Sequence, residues 1–144
     1  MHLTLYTDYS LRLLLFLAIQ PEGATITEVA ERYGISRNHL VRIVHDLGKK
    51  GWIATERGRG GGIKLAKDPG EINLGSVVRD MEPFQIVECF NAISNTCVIA
   101  PSCLMKKVLA DAAEAFLAEL EKYTLADLIK NKKMLSKHLI ELAS

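Results

Sequence analysis

All three cysteines of the chain fall within fifteen residues, Cys89-Phe-Asn-Ala-Ile-Ser-Asn-Thr-Cys97-Val-Ile-Ala-Pro-Ser-Cys103. An odd number of thiols cannot close into disulfides within one chain, so metal or redox chemistry is the sharper reading. The spacings of seven and five intervening residues are wider than the paired Cys-x-x-Cys of structural zinc sites. A loop this open suits a larger body, such as an iron–sulfur cluster whose irons each take their own thiolate. The bland alternative is three buried cysteines serving as small hydrophobes. One proline, two serines and two asparagines in the same stretch argue against a packed core there.

The elements around this loop must position it. At 144 residues, 49% of them apolar and 24% charged, the chain has enough apolar side chains for one folded domain carrying an oligomerisation element. The apolar run Leu13–Ile19 is too short to span a bilayer, and Asp8 and Arg12 precede it. No basic region leads into an apolar segment at the N-terminus, so a cytoplasmic protein without a membrane partner is expected. The net charge of +1 hides an asymmetry: residues 32–67 carry nine bases against two acids, for +7, and the remainder sums to −6. Bases this concentrated form an electrostatic footprint for a polyanion, against the plainer reading of a solvated charged face.

In chain order, Thr7 is expected to cap a first helix running to about Ile19, with Leu11, Leu14, Leu15 and Ala18 as its inward stripe. Asp8 would sit in the first turn, favoured by the exposed amides there, and four residues before Arg12. Both are sufficient structural reasons for an aspartate. Thr25 with Glu28 reads as a capping box opening a short helix through Tyr33; Gly34 supplies a left-handed turn, and Ser36 caps the next helix. On that second helix Leu40, Val44 and Leu47 face inward, while Arg37, Asn38, His39, Arg42 and His45 project outward. This is a helix-turn-helix pattern, in which the N-terminal part of the second helix reaches base edges. Arg suits guanine and Asn suits adenine, through paired hydrogen bonds. An ordinary αα-hairpin would share the pattern. The neighbouring segment favours DNA: two short alternating runs, Trp52–Arg57 and Ile63–Ala66, flank Gly58-Arg-Gly-Gly-Gly62, a β-hairpin wing with Arg59 at its tip. Gly-Lys-Ser/Thr after a strand is absent, which weakens the nucleotide-loop alternative. The candidate DNA-contacting set is Thr25, Ser36, Arg37, Asn38, His39, Arg42, Arg57, Arg59 and Gly60. A short helix at about Leu74–Met81 precedes Pro83. A long one, from Leu104 to about Tyr123, carries Leu104, Val108, Leu109, Ala112, Phe116, Leu117 and Leu120 on a wide apolar face that would pack on a second copy. Thr124 with Asp127 makes another capping box, and Leu135, Leu139 and Leu142 point to a helical tail.

The expected fold is therefore mainly α with a small β-hairpin. A winged helix-turn-helix domain occupies residues 1–83, a cysteine loop 84–103, and a dimerisation helix with its tail 104–144. With Tyr6-Thr-Asp-Tyr-Ser-Leu-Arg12, Ser36-Arg-Asn-His-Leu40, the Arg57–Gly62 wing, the three cysteines and Tyr123-Thr-Leu-Ala-Asp127, the chain resembles the Rrf family of winged-helix repressors over nearly its whole length. Within that family it is similar to the nitric-oxide-sensing branch. The resemblance implies a homodimer on double-stranded operator DNA and an iron–sulfur cluster, a 4Fe–4S form ahead of 2Fe–2S, on Cys89, Cys97 and Cys103. It also implies completion of the cluster by Asp8 of the partner subunit, with Arg12 as the salt-bridge partner linked to that site. The family's regulators of iron–sulfur biogenesis instead use a histidine three residues after the third cysteine; here that residue is Lys106, and His2, His39, His45 and His138 lie elsewhere. The first cysteine spacing is two residues longer than in many relatives.

The implied function is repression relieved when nitric oxide nitrosylates or removes the cluster. The alternative within the same fold is a regulator of iron–sulfur or iron status, or a zinc or thiol-oxidation switch. An enzyme using one of the cysteines as nucleophile is disfavoured, because no histidine lies near them to act as base.

Overall fold

A computed structural model describes residues 1–141 of the chain. Leu5–Ile19 form the first helix (α1), and its N-cap is Thr4, whose side chain accepts a hydrogen bond from the Thr7 amide. Thr7, expected as the cap, lies inside the first turn, fully buried. The reason is a second acceptor nearby: Glu82 takes hydrogen bonds from the Thr4 amide and hydroxyl, both at 2.9 Å, and fixes the chain's entry one turn earlier. The inward face of α1 also differs from the expected stripe. Leu13, Leu14, Phe16, Leu17, Ala18 and Ile19 are buried, whereas Leu11 and Leu15 are only partly covered. A helix enclosed on most sides buries more than a single stripe.

Ile26–Tyr33 (α2) and Arg37–Lys49 (α3) form the helix-turn-helix. Thr25 caps α2 through its side chain, which accepts from the Glu28 amide, but the expected box is only half formed, with no return bond from the Glu28 side chain; Gly34 closes the helix in the left-handed conformation. Ser36 occupies the N-cap position of α3 without a side-chain cap hydrogen bond; only its carbonyl is engaged, by the Leu40 amide. Ile53–Thr55 (β1) and Ile63–Leu65 (β2) pair antiparallel with Ile53 opposite Leu65. Ala24 and Ile63 exchange amide–carbonyl hydrogen bonds of 2.9 and 2.8 Å, so the segment before α2 adds a third rung to the wing. Crowding by neighbouring backbone explains two wing glycines without reference to a ligand. A Cβ at Gly61 would meet the Glu56 carbonyl oxygen at 2.3 Å, and one at Gly62 the Ala24 carbonyl oxygen at 2.6 Å.

Leu74–Met81 (α4) matches its sequence-based bounds, capped by Asn73 through the Ser76 amide. Leu104–Leu120 (α5) ends three residues before the expected Tyr123. Leu125–Leu128 (α6) starts with the reciprocal Thr124–Asp127 box, and Lys132–Ser136 (α7) leads into a π-helical turn over Lys137–Glu141. Leu142 lies outside the described residues. The core gathers α1, α2, α3 and the wing base around Phe16, Leu13, Leu17, Leu40, Ile43 and Leu47. Leu125 from α6 joins that core, and Leu117 of α5 is buried as well. Hydrogen bonds from the Leu74 amide to Tyr123 and from the Leu125 amide to Ile72 stitch α6 beside the start of α4. No helix among the described residues is long and apolar enough to cross a membrane.

Candidate metal centre and nucleic-acid interface

The path from α4 to the cysteines begins with Pro83 and Phe84, and Phe84 is the one non-glycine residue with positive φ (48°) among the described residues. That conformation costs about 1–2 kcal/mol for a residue with a Cβ. The Phe84 ring packs on Phe116 of α5 at 6.2 Å between centroids, which holds it there. Beyond it, the chain from Val87 to Cys103 has two single 3₁₀ turns, Glu88–Phe90 and Ala100–Ser102, further backbone turns from the Asn95 amide to Asn91 and from the Ala100 amide to Cys97, and a set of side-chain-to-backbone hydrogen bonds. Asn91 accepts from the Ile93 and Ser94 amides, and Asn95 from the Cys97 amide. Glu88 accepts from the amide (2.9 Å) and hydroxyl (2.6 Å) of Thr96, which holds its carboxyl below the usual carboxylate range. The asparagines that argued against a packed core are therefore turn residues. Glu88, with no signal in the sequence, pins the stretch next to Cys89 against the one before Cys97.

The result brings all three cysteines to one hollow. Cys89, Cys97 and Cys103 are free thiols, each half-buried, and line a cavity of about 170 Å³ with Val87, Glu88, Ile99, Met105, Lys106 and Leu109. Among the described residues no group of three or more His, Cys, Asp or Glu converges closely enough to hold a single metal ion. The donor chemistry nevertheless fits a sulfur-ligated group: three soft ligands, an apolar surround, and no competing hard ligand besides Glu88. Lys106 faces the hollow but an ammonium has no lone pair to offer.

Asp8 lies on α1 and is not among the residues lining the hollow of its own chain. Its carboxylate takes two hydrogen bonds from Arg12, from Nε at 3.1 Å and Nη2 at 2.7 Å. Both side chains are substantially exposed (37% and 45%), so the pair contributes only about 0.3–0.5 kcal/mol. Arg12 also stacks over Tyr9 at 5.6 Å, and Tyr9 contacts His39 on α3 at 6.3 Å. Tyr6, two residues before Asp8, donates its phenol to Asp46 of α3; burial, then this hydrogen bond, pushes its pKa up to about 12.

On the other face, α3 presents Arg37, Asn38, His39, Arg42 and His45 to solvent while Leu40, Ile43, Val44 and Leu47 are buried. Thr25 and Ser36 are exposed at the two helix starts, and Arg37 Nε reaches the Thr27 hydroxyl at 3.3 Å. Arg57, Arg59 and Gly60 are exposed on the wing, which Lys64 and Glu56 tie together by an ion pair. The proposed DNA-contacting residues thus come from α2, α3 and the wing, all three packed on one core.

The family model for Rrf2, described as an iron-dependent transcriptional regulator, matches residues 3–131. The chain belongs to the Rrf2 family. It is 54% identical over 140 residues to the HTH-type transcriptional regulator NsrR of Bacillus subtilis, covering 95% of this chain and 96% of that one. It is 53% identical over 135 residues to NsrR of Halalkalibacterium halodurans, covering 92% of each. Among solved structures, IscR of T. potens superposes with a TM-score of 0.71 at 25% identity, over 91% of this chain and 88% of that one. CymR, the global cysteine regulator of B. subtilis, does so with a TM-score of 0.64 at 25% identity, over 89% and 95%. This Rrf2 chain is accordingly a DNA-binding transcription regulator with a winged-helix fold, and not an enzyme.

Proposed function

We propose that this Rrf2 regulator is a homodimeric repressor that senses nitric oxide through an iron–sulfur cluster held by Cys89, Cys97 and Cys103, with Asp8 of the partner subunit as the remaining ligand. The observation that carries the reading is the shared hollow: three free thiols, separated in sequence by turns, line one apolar cavity beside the start of α5. The extensive identity to NsrR proteins supports it. A bound 4Fe–4S cluster would supply iron that reacts with nitric oxide and gives up its ligands. The chain's own part is to line the hollow with the apolar side chains of Val87, Ile99, Met105 and Leu109, of which Ile99 and Met105 are still open to solvent in the single chain, and to present the three thiols on one loop. Leu104, Met105 and Val108 are 79%, 65% and 63% exposed at the start of α5, an apolar face suited to a second copy. Across such a dimer Asp8 would exchange Arg12 for the cluster and so tie the loop of one subunit to α1 of the other. Dimers read half-sites about 34–36 Å apart, so a small rotation of the winged helices weakens binding. A coupling of about 2–3 kcal/mol would lower affinity some 30- to 150-fold.

The test is anaerobic purification followed by a visible spectrum, iron and sulfide assays, and operator binding before and after nitric oxide. Each single Cys→Ala variant is expected to lose colour and specific binding while staying dimeric. A colourless triple-alanine protein that still binds its operator tightly would end the sensing role of the cysteines. Zinc in place of iron and sulfide would make the hollow a zinc or thiol switch.

A further inference from the structure

The C-terminal end of α4 is where the cysteine segment departs, and it carries an unusual charge arrangement. Asp80 and Glu82 sit at the negative end of the helix dipole, where a carboxylate is disfavoured. Both are held by hydrogen bonds that lead elsewhere in the molecule. Arg79 pairs with Glu114 of α5 and with Glu121, its C-cap, at 3.1 and 3.0 Å. Glu82 accepts from Thr4 at the start of α1. Asp80 accepts from the indole Nε1–H of Trp52 at 2.8 Å. Three neighbouring charged residues therefore tie one helix end to three different elements.

Trp52 is the chain's single tryptophan, 8% exposed, and it stands where the DNA-reading elements meet. Its amide donates to the Leu47 carbonyl of α3 at 2.9 Å, and its carbonyl accepts from Ala66, just past β2, at 3.1 Å. Lys67 covers its ring at 4.7 Å. A displacement of the α4 end would be felt at this one residue, whose indole holds Asp80 and whose backbone is bonded to the recognition helix and to the end of the wing. The first step from α4 toward the cysteine segment is constrained at two residues: proline fixes φ at Pro83, and Phe84, with its positive φ, packs on Phe116 of α5.

We propose that Trp52 is a positioning residue that couples the cysteine segment to the wing and recognition helix through its hydrogen bond to Asp80. The proposal rests on the sensing function above and adds the route by which the loop's state reaches DNA. Its test is the ratio of operator affinities of cluster-loaded and cluster-free protein, measured by fluorescence anisotropy with a labelled operator. Wild type should show a ratio of about 30 or more. Asp80→Ala should bring the ratio down at least ten-fold by weakening the loaded form alone, with iron content unchanged and thermal stability lowered equally in loaded and cluster-free protein, because the buried indole N–H loses its acceptor. Asp80→Asn keeps an acceptor for the indole and should retain the wild-type ratio; Trp52→Phe should lose the ratio as Asp80→Ala does, with a larger loss of thermal stability because a buried core side chain is shortened. A wild-type ratio that survives in Asp80→Ala overturns the coupling while leaving the sensing function in place. A wild-type ratio near one removes the sensing function and the coupling with it.

Discussion

At the scale of single residues, the informative contacts are those made by Asp8 and Tyr6 on α1. Asp8 has a complete structural occupation in its bidentate pair with Arg12, yet that pair is exposed and weak. A residue so held is stable enough to be oriented and free enough to be recruited. If Asp8 serves only its helix, Asp8→Ala costs about 0.3–1 kcal/mol and leaves the nitric-oxide response untouched. As a cluster ligand it predicts more: Asp8→Ala should still assemble the coloured species but with an altered spectrum and changed reaction rate, and Asp8→Cys should react more slowly. Stopped-flow absorbance of the three proteins decides, and superimposable traces would return Asp8 to its helix. Tyr6 makes a second residue-scale prediction. Its raised pKa, about 12 against an ordinary 10, means that the neutral phenol is favoured by folding. The resulting stability is fully present below pH 10 and is lost as pH rises from about 10 to 12. Burial pushes the Tyr33 phenol up to about 12 as well, so Tyr6→Phe should reduce the alkaline dependence without abolishing it and cost about 1 kcal/mol of stability at neutral pH, read by urea unfolding at pH 7 and pH 11. An alkaline slope unchanged in the variant would assign it to other groups.

At the scale of elements, α5 has two unlike halves. Its C-terminal half is tied to the winged domain: Leu117 is buried, Arg79 bridges to Glu114 and Glu121, and Gly75 of α4 lies against its end. A Cβ on Gly75 would meet the Leu117 carbonyl oxygen at 2.9 Å and the Glu121 amide nitrogen at 2.8 Å, so the two helices approach more closely there than any larger residue permits. The N-terminal half leaves Leu104, Met105 and Val108 uncovered. Val108→Lys should therefore change monomer stability by less than about 0.5 kcal/mol, as exposed substitutions do, while shifting dimer to monomer in sedimentation velocity. A dimer of undiminished strength would place the subunit contact elsewhere.

At the scale of the whole molecule, charge is segregated by function. The +7 of residues 32–67 is carried largely on exposed positions of α3 and the wing, and the −6 is spread over the rest. Operator binding should accordingly weaken steeply as salt rises, with a log–log slope of about −0.9 for each phosphate neutralised. Arg59→Ala, at the wing tip, should weaken binding about equally on all sequences and flatten that slope by roughly one. Substitution of Arg37 or Asn38 should instead relax base preference. Titrating operator and scrambled DNA at several salt concentrations checks both, and a slope near zero for the wild type would rule out phosphate contacts as the source of affinity.

Local chemistry was legible in the sequence wherever a short stretch contains its own cause. The Thr25 cap, the Gly34 turn, the bounds of α4, the Thr124–Asp127 box and the Asp8–Arg12 pair each depend on residues close together in the chain, and each is present. So was the outward face of α3, since helical period alone separates Arg37, Asn38 and Arg42 from Leu40, Val44 and Leu47. Tertiary structure decided what depends on partners far along the chain. Glu82 moved the start of α1 from Thr7 to Thr4 across 78 positions, and Ala24 became a rung of the wing beside Ile63. Trp52 found Asp80, and Tyr6 found Asp46, by contacts that no spacing rule encodes. The gathering of Cys89, Cys97 and Cys103 at one hollow belongs to both. Their confinement to fifteen residues is a property of the sequence, but facing a common cavity required the turns of Asn91 and Asn95, the Glu88–Thr96 clasp and the start of α5 to close the space between them.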